Sequence, residues 1–425
     1  RFQAVFLIVV PVLLSLIGLS AVAATPSPEV RDLSRGQYSD VVRAIDRGNW
    51  TEYERLRPGL EDYPLAMYLD YSKLTNHLRQ VRPAEANRFL GLSDDSPLPN
   101  RFLSSYLHRA GKDRRWKDFL AVKPDEPNSV ELKCYYFRAK LSQGDELAAW
   151  EGAERLWVHG RSRPKQCDPL FAAWLKSGEL SDDVVWARMV KAFDERQRSL
   201  LKYVARKGSD ELAPWSERLI AVYGKPQSLG KQRLAPDSPY SADIAAHGVA
   251  HLARYNPEKA ITQWREFQQV LAFSDEQVHH AEYAIAWHSL LSKNETAVPW
   301  LSAALKRLDD DKLVEIRLRW ILAKQDWQTL QDSLHLLSPD GQEKNVWRYW
   351  QAIVLQESGN KQGARKLLQQ VAQEREYYGF LAADRLGEPY EFNHQPMVLK
   401  EAGSLGVEEL PALERIEELY FHEEQ

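Results

Sequence analysis

The sequence predicts an all-α fold, a superhelical solenoid in which pairs of helices stack on one another. The clearest observation is the stretch Asn345–Gly387, which divides into three short amphipathic helices. One continuous apolar stripe at spacing i, i+3, i+4, i+7 and i+8 follows its second helix: Ala364, Leu367, Leu368, Val371 and Ala372. A lone helix pair cannot bury such a stripe, so it must stack on neighbouring helices. The sequence also has no alternating run of β-branched residues long enough for a sheet.

Length and composition agree with an extended array. A chain of 425 residues exceeds what one compact core usually holds, so several domains or stacked repeats are expected. The net charge of -4 gives no indication of a nucleic-acid partner, which would favour a strongly basic surface. The 14 Trp and 18 Tyr are many for this length. We expect most of them to pack between helices, and stacking on carbohydrate is the alternative for a few.

The N-terminal stretch is typical of a signal peptide over residues 1–24. Phe2–Ala24 carries no charge, and Ala21-Val22-Ala23 gives the small-x-small pattern that signal peptidase recognises. An uncleaved membrane anchor is the alternative, but Pro11 and the short apolar core favour cleavage. The sequence therefore predicts export to the periplasm and a mature chain that is not an integral membrane protein.

If the chain is exported, its two cysteines lie in an oxidising compartment. Cys134 and Cys167 lie 33 positions apart, and an even number of cysteines in an oxidising compartment predicts one disulfide. The alternative is a pair of buried thiols. A metal site is disfavoured, because two cysteines without histidines at matched spacing cannot supply four ligands.

Helical patterns fill the chain from about residue 37 to residue 387, enough for about 20 helices of ordinary length. Residues 93–99 form a turn and cap cluster, and Asn256 and Ser274 precede helix starts as capping residues. Gly224–Ser241 is the region richest in helix-breaking residues. It is either a linker or one longer turn of a solenoid. In Asn345–Gly387, Trp347 and Trp350 share a helix face, and we expect both to be at least half buried.

Three segments carry a family resemblance. The first is Asn345–Gly387, with WRYWQA, a glycine turn, a second amphipathic helix and then YYGFLAADRLG. The second is Cys134–Trp174, which contains CYYFRAKLSQGDELAAWEGAERLW and then CDPLFAAW, and the third is DYPLAMYLDY near residue 62. In this order they resemble the superhelical N-terminal region of the soluble lytic murein transglycosylases over nearly the whole mature chain.

The resemblance implies a ring- or U-shaped scaffold over residues 25–387 and the start of a small helical linker domain over residues 388–425. It also implies peptidoglycan glycan strands as the partner. In this family a C-terminal lysozyme-like domain carries one glutamate, in a Glu-Ser motif followed by a Gly-Leu-Met-Gln run. That acid protonates the glycosidic oxygen between N-acetylmuramic acid and N-acetylglucosamine, and the muramyl 6-hydroxyl closes a 1,6-anhydro ring. The motif is absent from this sequence, so the catalytic domain is missing from it.

No residue of the sequence is assigned as catalytic, cofactor-binding or metal-binding. Glu357-Ser358 is followed by Gly359-Asn360 instead of the family's run, and His422-Glu423-Glu424-Gln425 has no second histidine of an HExxH motif. His279 and His280 with Glu282 could bind a metal, but adjacent histidines point to different faces of a helix, which disfavours that interpretation. The basic runs Arg114-Arg115 and Arg161–Lys165 are typical of solvated faces, with contact to acidic stem peptides of murein as the alternative.

The sequence thus favours the scaffold region of a periplasmic lytic transglycosylase that acts in cell-wall turnover. Two other hypotheses remain. One is a non-enzymatic periplasmic helical-repeat protein that binds murein or proteins, and the other is a stand-alone hydrolase with an unrecognised site.

Overall fold

The computed structural model describes residues 28–92, 96–396 and 410–422. Within these ranges the chain consists of helices and the turns between them, and it contains no strand, which confirms the predicted all-α class. The predicted signal peptide, residues 1–24, lies outside the described residues. Among the helices of the described ranges, none has the length and apolar character needed to cross a lipid bilayer.

Contacts between residues divide the chain into two compact units. The described residues of the first unit fall within Arg1–Arg109 and Lys400–Gln425, and those of the second fall within Ala110–Leu399. The first unit begins with α1 (Pro28–Asp46), α2 (Trp50–Leu56), a 3₁₀ turn (Arg57–Leu60), α3 (Ala66–Asn76), α4 (Pro83–Leu90) and most of α5 (Leu98–Lys112).

The second unit is a solenoid in which helices adjacent along the chain pack on each other. Its helices are α6 (Trp116–Val122), α7 (Val130–Ser142), α8 (Glu146–Trp157), α9 (Asp168–Ser177), α10 (Asp182–Asp194), α11 (Arg198–Ala205), α12 (Ala213–Gly224), α13 (Pro239–Ala253), α14 (Pro257–Phe267), α15 (Asp275–Leu291), α16 (Val298–Leu308), α17 (Asp311–Leu322), α18 (Trp327–Leu334), α19 (Pro339–Gln342), α20 (Asn345–Glu357), α21 (Lys361–Val371) and α22 (Tyr377–Leu386). A final helix, α23 (Pro411–Phe421), belongs to the first unit.

Two of the turns between paired helices share one arrangement, a left-handed glycine followed by a helix-capping residue. Gly144 and Gly359 adopt left-handed backbone, with φ of 83° and 88°, and end α7 and α20. The next residue, Asp145 or Asn360, accepts a hydrogen bond from a backbone N–H in the first turn of the following helix. The predicted break at Ser358-Gly359-Asn360 is therefore confirmed, since one glycine and one cap reverse the chain within a few residues.

The helices α20, α21 and α22 bury the predicted apolar stripe. Leu368 and Val371 of α21 pack with Tyr349 and Ile353 of α20 in one cluster. Trp347 is 1% exposed, whereas Trp350 is partly buried and packs against that cluster, so the expected burial of both rings is confirmed.

Other local predictions are resolved by the structure. A 3₁₀ turn, Pro226–Lys231, lies within Gly224–Ser241, and its buried Leu229 packs inside the second unit, so the stretch is a long turn and not a linker.

Asn256 and Ser274 cap their helices as predicted, and Ser274 forms a full capping box with Gln277. The predicted disulfide is present: it joins Cys134 of α7 to Cys167, with a Cα–Cα distance of 4.9 Å. The predicted domain boundary at residue 387 stays a prediction.

Candidate functional site

An aromatic-walled cavity of about 820 Å³ lies in the second unit between α10, α13 and α15. These three helices are far apart in sequence, but α13 packs on both α10 and α15. Because pockets that bind small ligands combine apolar rings with a few placed polar groups, this cavity is the candidate site.

Asp243 of α13 organises one wall of the cavity. Its Oδ2 accepts a hydrogen bond from Nε1 of Trp186 at 2.7 Å, and its Oδ1 accepts one from Nε2 of Gln277 at 2.7 Å. The second polar atom of the same Gln277 amide is also fixed, because Oε1 accepts a hydrogen bond from the backbone N–H of Ser274 at 2.9 Å. One carboxylate thus fixes an indole on α10 and an amide on α15 before any ligand arrives.

The aromatic rings of Trp186, Tyr240 and Tyr283 line the cavity, and two further tryptophans lie beside them. The rings of Trp186 and Tyr240 have centroids 4.7 Å apart, and Trp215 lies 5.8 Å beyond Tyr240. On α15 the rings of Tyr283 and Trp287 are nearly parallel at 11°. Burial raises the pKa of both Tyr240 and Tyr283, so their hydroxyls stay protonated and can donate hydrogen bonds. Rigid rings beside hydroxyl, amide and carboxylate groups are suited to a sugar ring, which has apolar faces and polar edges.

A cluster of Asp194, His247 and His280 lies at one edge of the cavity. Nδ1 of His247 lies 2.9 Å from Oδ1 of Asp194, and Nε2 of His280 lies 3.6 Å from the same oxygen. The ligand atoms of all three side chains lie within 4.8 Å of one another. Burial lowers the pKa of His280, and the adjacent His247 adds to this, so the imidazole is neutral near pH 7. Two imidazoles and one carboxylate in this arrangement are a donor set that Zn²⁺ accepts.

The structure places both adjacent histidines at the cavity but removes Glu282 from it. His280 is partly buried there, while His279 is exposed and its ring lies 5.8 Å from that of Tyr283. Glu282 is buried on another face of α15, where it accepts hydrogen bonds from Arg307 at 2.9 and 3.1 Å. Sequence reasoning missed Asp194 and His247, because they are 53 positions apart and no local spacing relates them.

The other singled-out motifs lie away from this cavity. Glu357 and Ser358 are exposed at the end of α20. His422 follows α23 and lies 3.0 Å from the hydroxyl of Tyr63, whereas residues 423–425 lie outside the described residues. Among the basic runs, Arg161 pairs with Glu195 at 2.8 Å, and Arg163 donates to the carbonyl of Leu156 at 2.7 Å.

A second carboxylate site ties α23 to the start of the chain within the first unit. The Glu418 side chain is fully buried and binds Arg31 at 2.7 Å and Arg35 at 2.9 Å. The hydroxyl of Tyr63 donates to the same carboxylate. Burial alone would raise the pKa of Glu418, but the hydrogen bonds from Arg35, Tyr63 and Arg31 outweigh it and lower the pKa to about 2. Glu418 is therefore ionised at neutral pH.

Comparisons with known proteins support the family resemblance. No family model matches the chain. The soluble lytic murein transglycosylase of Escherichia coli (strain K12) is 28% identical over 408 residues, which are 95% of this chain and 62% of that protein. The protein of the same name from Salmonella typhimurium (strain LT2) is 29% identical over 391 residues, 91% of this chain and 60% of that protein. This chain thus spans about three fifths of the length of these curated relatives.

Solved structures agree. The crystal structure of the 70 kDa soluble lytic transglycosylase from Escherichia coli matches with a TM-score of 0.74 at 28% identity, over 92% of this chain and 63% of that chain. An inactive mutant of the lytic transglycosylase Slt from Pseudomonas aeruginosa matches with a TM-score of 0.74 at 29% identity, over 91% of this chain and 63% of that chain. The resemblance seen in the three sequence segments is thereby confirmed.

Proposed function

We propose, because the chain is a relative of the soluble lytic murein transglycosylases, that it is the helical scaffold of such an enzyme and holds murein strands for cleavage. In this proposal the cleaved bond joins N-acetylmuramic acid to N-acetylglucosamine, and the product carries a 1,6-anhydromuramyl end. Residues 25–387 are assigned to the scaffold, and residues 388–425 to the start of a linker domain. The chemistry itself is assigned to the lysozyme-like domain of the family.

The observation that carries the proposal is the joint match in sequence and structure over more than nine tenths of the chain. A likeness of fold alone would not favour a function, since helical solenoids serve many. Here the structural match covers 92% of the chain and comes with 28% sequence identity.

The chemistry of the buried carboxylates supports a non-catalytic role for the described residues. A general acid must be protonated before it can give its proton to a glycosidic oxygen. Two carboxylates are buried in the described ranges, Glu282 and Glu418, and both bind arginine. For Glu418 the hydrogen bonds from Arg35, Tyr63 and Arg31 lower the pKa to about 2, so this carboxylate is ionised and cannot protonate a leaving group.

The proposed compartment is the periplasm, with residues 1–24 as the signal peptide. The Cys134–Cys167 disulfide supports an oxidising compartment, since such bonds persist in exported proteins and are rare in the cytosol.

The aromatic-walled cavity is proposed as a contact for the glycan strand. Co-sedimentation with purified murein sacculi tests this directly. We expect the wild-type chain to sediment with sacculi and the double variant Tyr240→Ala, Tyr283→Ala to lose most of that binding, because both rings face the cavity. Tyr377→Ala is the matched control, since Tyr377 is 68% exposed on α22, outside the cavity.

Each outcome decides one point. If the wild-type chain stays in the supernatant, the scaffold does not hold murein. If the double variant sediments as well as wild type, the aromatic-walled cavity is not the contact. Equal melting temperatures of the three proteins ensure that loss of binding is not loss of fold.

A further inference from the structure

A second cavity in the second unit contains a buried arginine with no carboxylate partner. This arginine cavity, of about 590 Å³, is lined by residues of α8, α9, α10 and α11 and of the loop that follows α8. Arg188 of α10 lies at its wall and is only 4% exposed. Arginine is almost never buried unless it is paired, so its surroundings need an explanation.

Within the described part of the chain the Arg188 guanidinium forms neither a hydrogen bond nor an ion pair. Its Nε is buried and has no acceptor. The Trp157 ring, with its centroid 4.3 Å from Cζ of Arg188, offers a cation–π contact. That contact leaves the buried Nε–H without an acceptor. Burial lowers the pKa of Arg188 to about 10, so the group still carries its charge at neutral pH.

A second cation faces the same cavity. Arg163 belongs to the basic run Arg161–Lys165, and its Nε donates to the carbonyl of Leu156, a neutral partner. Burial lowers the pKa of Arg163 too. Asp168 also lines the cavity, but it forms no ion pair with either arginine in the described residues. Two positive charges beside one carboxylate that pairs with neither leave the cavity lining with a net positive charge, which attracts anions.

Much of the remaining wall is apolar, although Ser162 and Ser199 also line it. The apolar part is formed by Phe171 and Leu175 of α9 and by Leu200 and Tyr203 of α11. The wall formed by α9 is fixed in place, because Cys167 immediately precedes Asp168 at its start and is bonded to Cys134 of α7. A ligand that fits must combine an anionic group for the arginines with a small apolar group for this wall.

We propose that the arginine cavity binds the carboxylate of a short acidic peptide, with a small apolar side chain of that peptide against α9. A carboxylate is planar and can accept two hydrogen bonds from the N–H groups of one guanidinium. A buried guanidinium without such a partner is destabilising, so a bound carboxylate would offset that cost. The choice of peptide rests on the proposed function, since murein strands carry acidic stem peptides. The anion site itself rests only on Arg188, Arg163 and the cavity.

Isothermal titration calorimetry with the dipeptide L-Ala-D-Glu tests the proposal, and the same dipeptide with both carboxylates amidated is the neutral comparison. We expect the acidic dipeptide to bind and the diamide not to bind. Arg188→Met should weaken binding about 10- to 100-fold, the loss expected for charge-assisted hydrogen bonds. Arg218→Met is the matched control and should bind as wild type, because Arg218 also stacks on a tryptophan, at 4.5 Å, but lies outside this cavity.

A second pair of variants keeps the test valid if Arg188→Met is poorly folded. Ala172 is exposed on α9 and lines the cavity. Ala172→Glu supplies a carboxylate from the protein itself, so it should abolish binding of the dipeptide and raise the melting temperature. Ala172→Gln has nearly the same volume without the charge, and we expect it to leave the melting temperature unchanged.

Any of four results would overturn the proposal. The first three are equal binding of the diamide, unchanged binding by Arg188→Met, and equal effects of Ala172→Glu and Ala172→Gln on the melting temperature. Sulfate that binds as tightly as the dipeptide would also refute it, because the cavity would then be a general anion site. Failure of the proposed function would give a different result. If the chain binds the dipeptide but does not sediment with sacculi, the peptide site is supported and the murein-scaffold function is refuted.

Discussion

Replacement of Glu418 by glutamine should loosen the attachment of α23 to the start of the chain. Glu418 is fully buried and binds two arginines, Arg31 and Arg35. Glutamine has nearly the same shape but no charge. It therefore leaves both guanidinium groups close to each other without their common partner.

The size of the effect follows from the pKa. The Glu418 pKa falls from an ordinary 4.5 to about 2, and each unit corresponds to roughly 1.4 kcal/mol. The carboxylate therefore stabilises the folded state by about 3 kcal/mol at neutral pH, similar to the cost of breaking a buried ion pair. Because the folded-state pKa is the lower one, this stabilisation is complete above pH 4.5 and is lost as pH falls towards about 2.

Hydrogen exchange measured by mass spectrometry is the suitable assay, because a chain of two compact units need not unfold in a single step. At pH 7 we expect peptides from Pro411–Phe421 to lose protection by about 100-fold in Glu418→Gln relative to wild type. Near pH 2 the two proteins should exchange alike. Glu417→Gln is the matched control: Glu417 binds Arg31 at 2.7 Å but is 67% exposed, so its loss should cost under about 1 kcal/mol.

Equal protection of Glu418→Gln and wild type at pH 7 would refute this stabilising role of the Glu418 charge. A difference that persists unchanged to pH 2 would also refute it, because the effect would then not depend on the charge of Glu418.

Three further predictions concern other parts of the chain. Zn²⁺ should raise the melting temperature of the wild-type chain and not that of His280→Ala, which removes one of the three clustered ligands; equal shifts would place the ion elsewhere. Replacing both Cys134 and Cys167 by serine should destabilise by roughly 3–4 kcal/mol in chemical denaturation, and unchanged stability would contradict the role given to the disulfide. Trp347→Ala should cost about 3–5 kcal/mol and Trp350→Ala clearly less, since the first ring is almost fully buried and the second only partly; the reverse order in thermal melts would be inconsistent with their packing.

The sequence predicted those features that depend on neighbouring residues. The stripe on α21, the Gly359 turn and the caps at Asn256 and Ser274 each follow from a few adjacent side chains and backbone angles. The disulfide was predictable from the cysteine count and the expected compartment.

Features made by distant helices could not be predicted in this way. Asp194 and His247 come together only because α10 packs on α13, and Glu418 reaches Arg35 from 383 positions away. Arg188 reads in the sequence as an ordinary helical arginine, and its burial appears only when α8 and α11 close around it. The candidate site could therefore be identified only from the structure, whereas the fold class was predictable from the sequence.

The most direct test of the proposed scaffold role is the analysis of products released from murein sacculi. The purified 425-residue chain is incubated with sacculi, and soluble products are separated by liquid chromatography and identified by mass, with the Escherichia coli soluble lytic murein transglycosylase as the positive control. The family's catalytic Glu-Ser motif is absent from this sequence, and both buried carboxylates of the described residues are bound by arginine, so we predict no 1,6-anhydromuropeptides from this chain and clear release by the control. Release of 1,6-anhydromuropeptides by the chain itself, persisting after repurification, would contradict the account and place the catalytic acid within these residues.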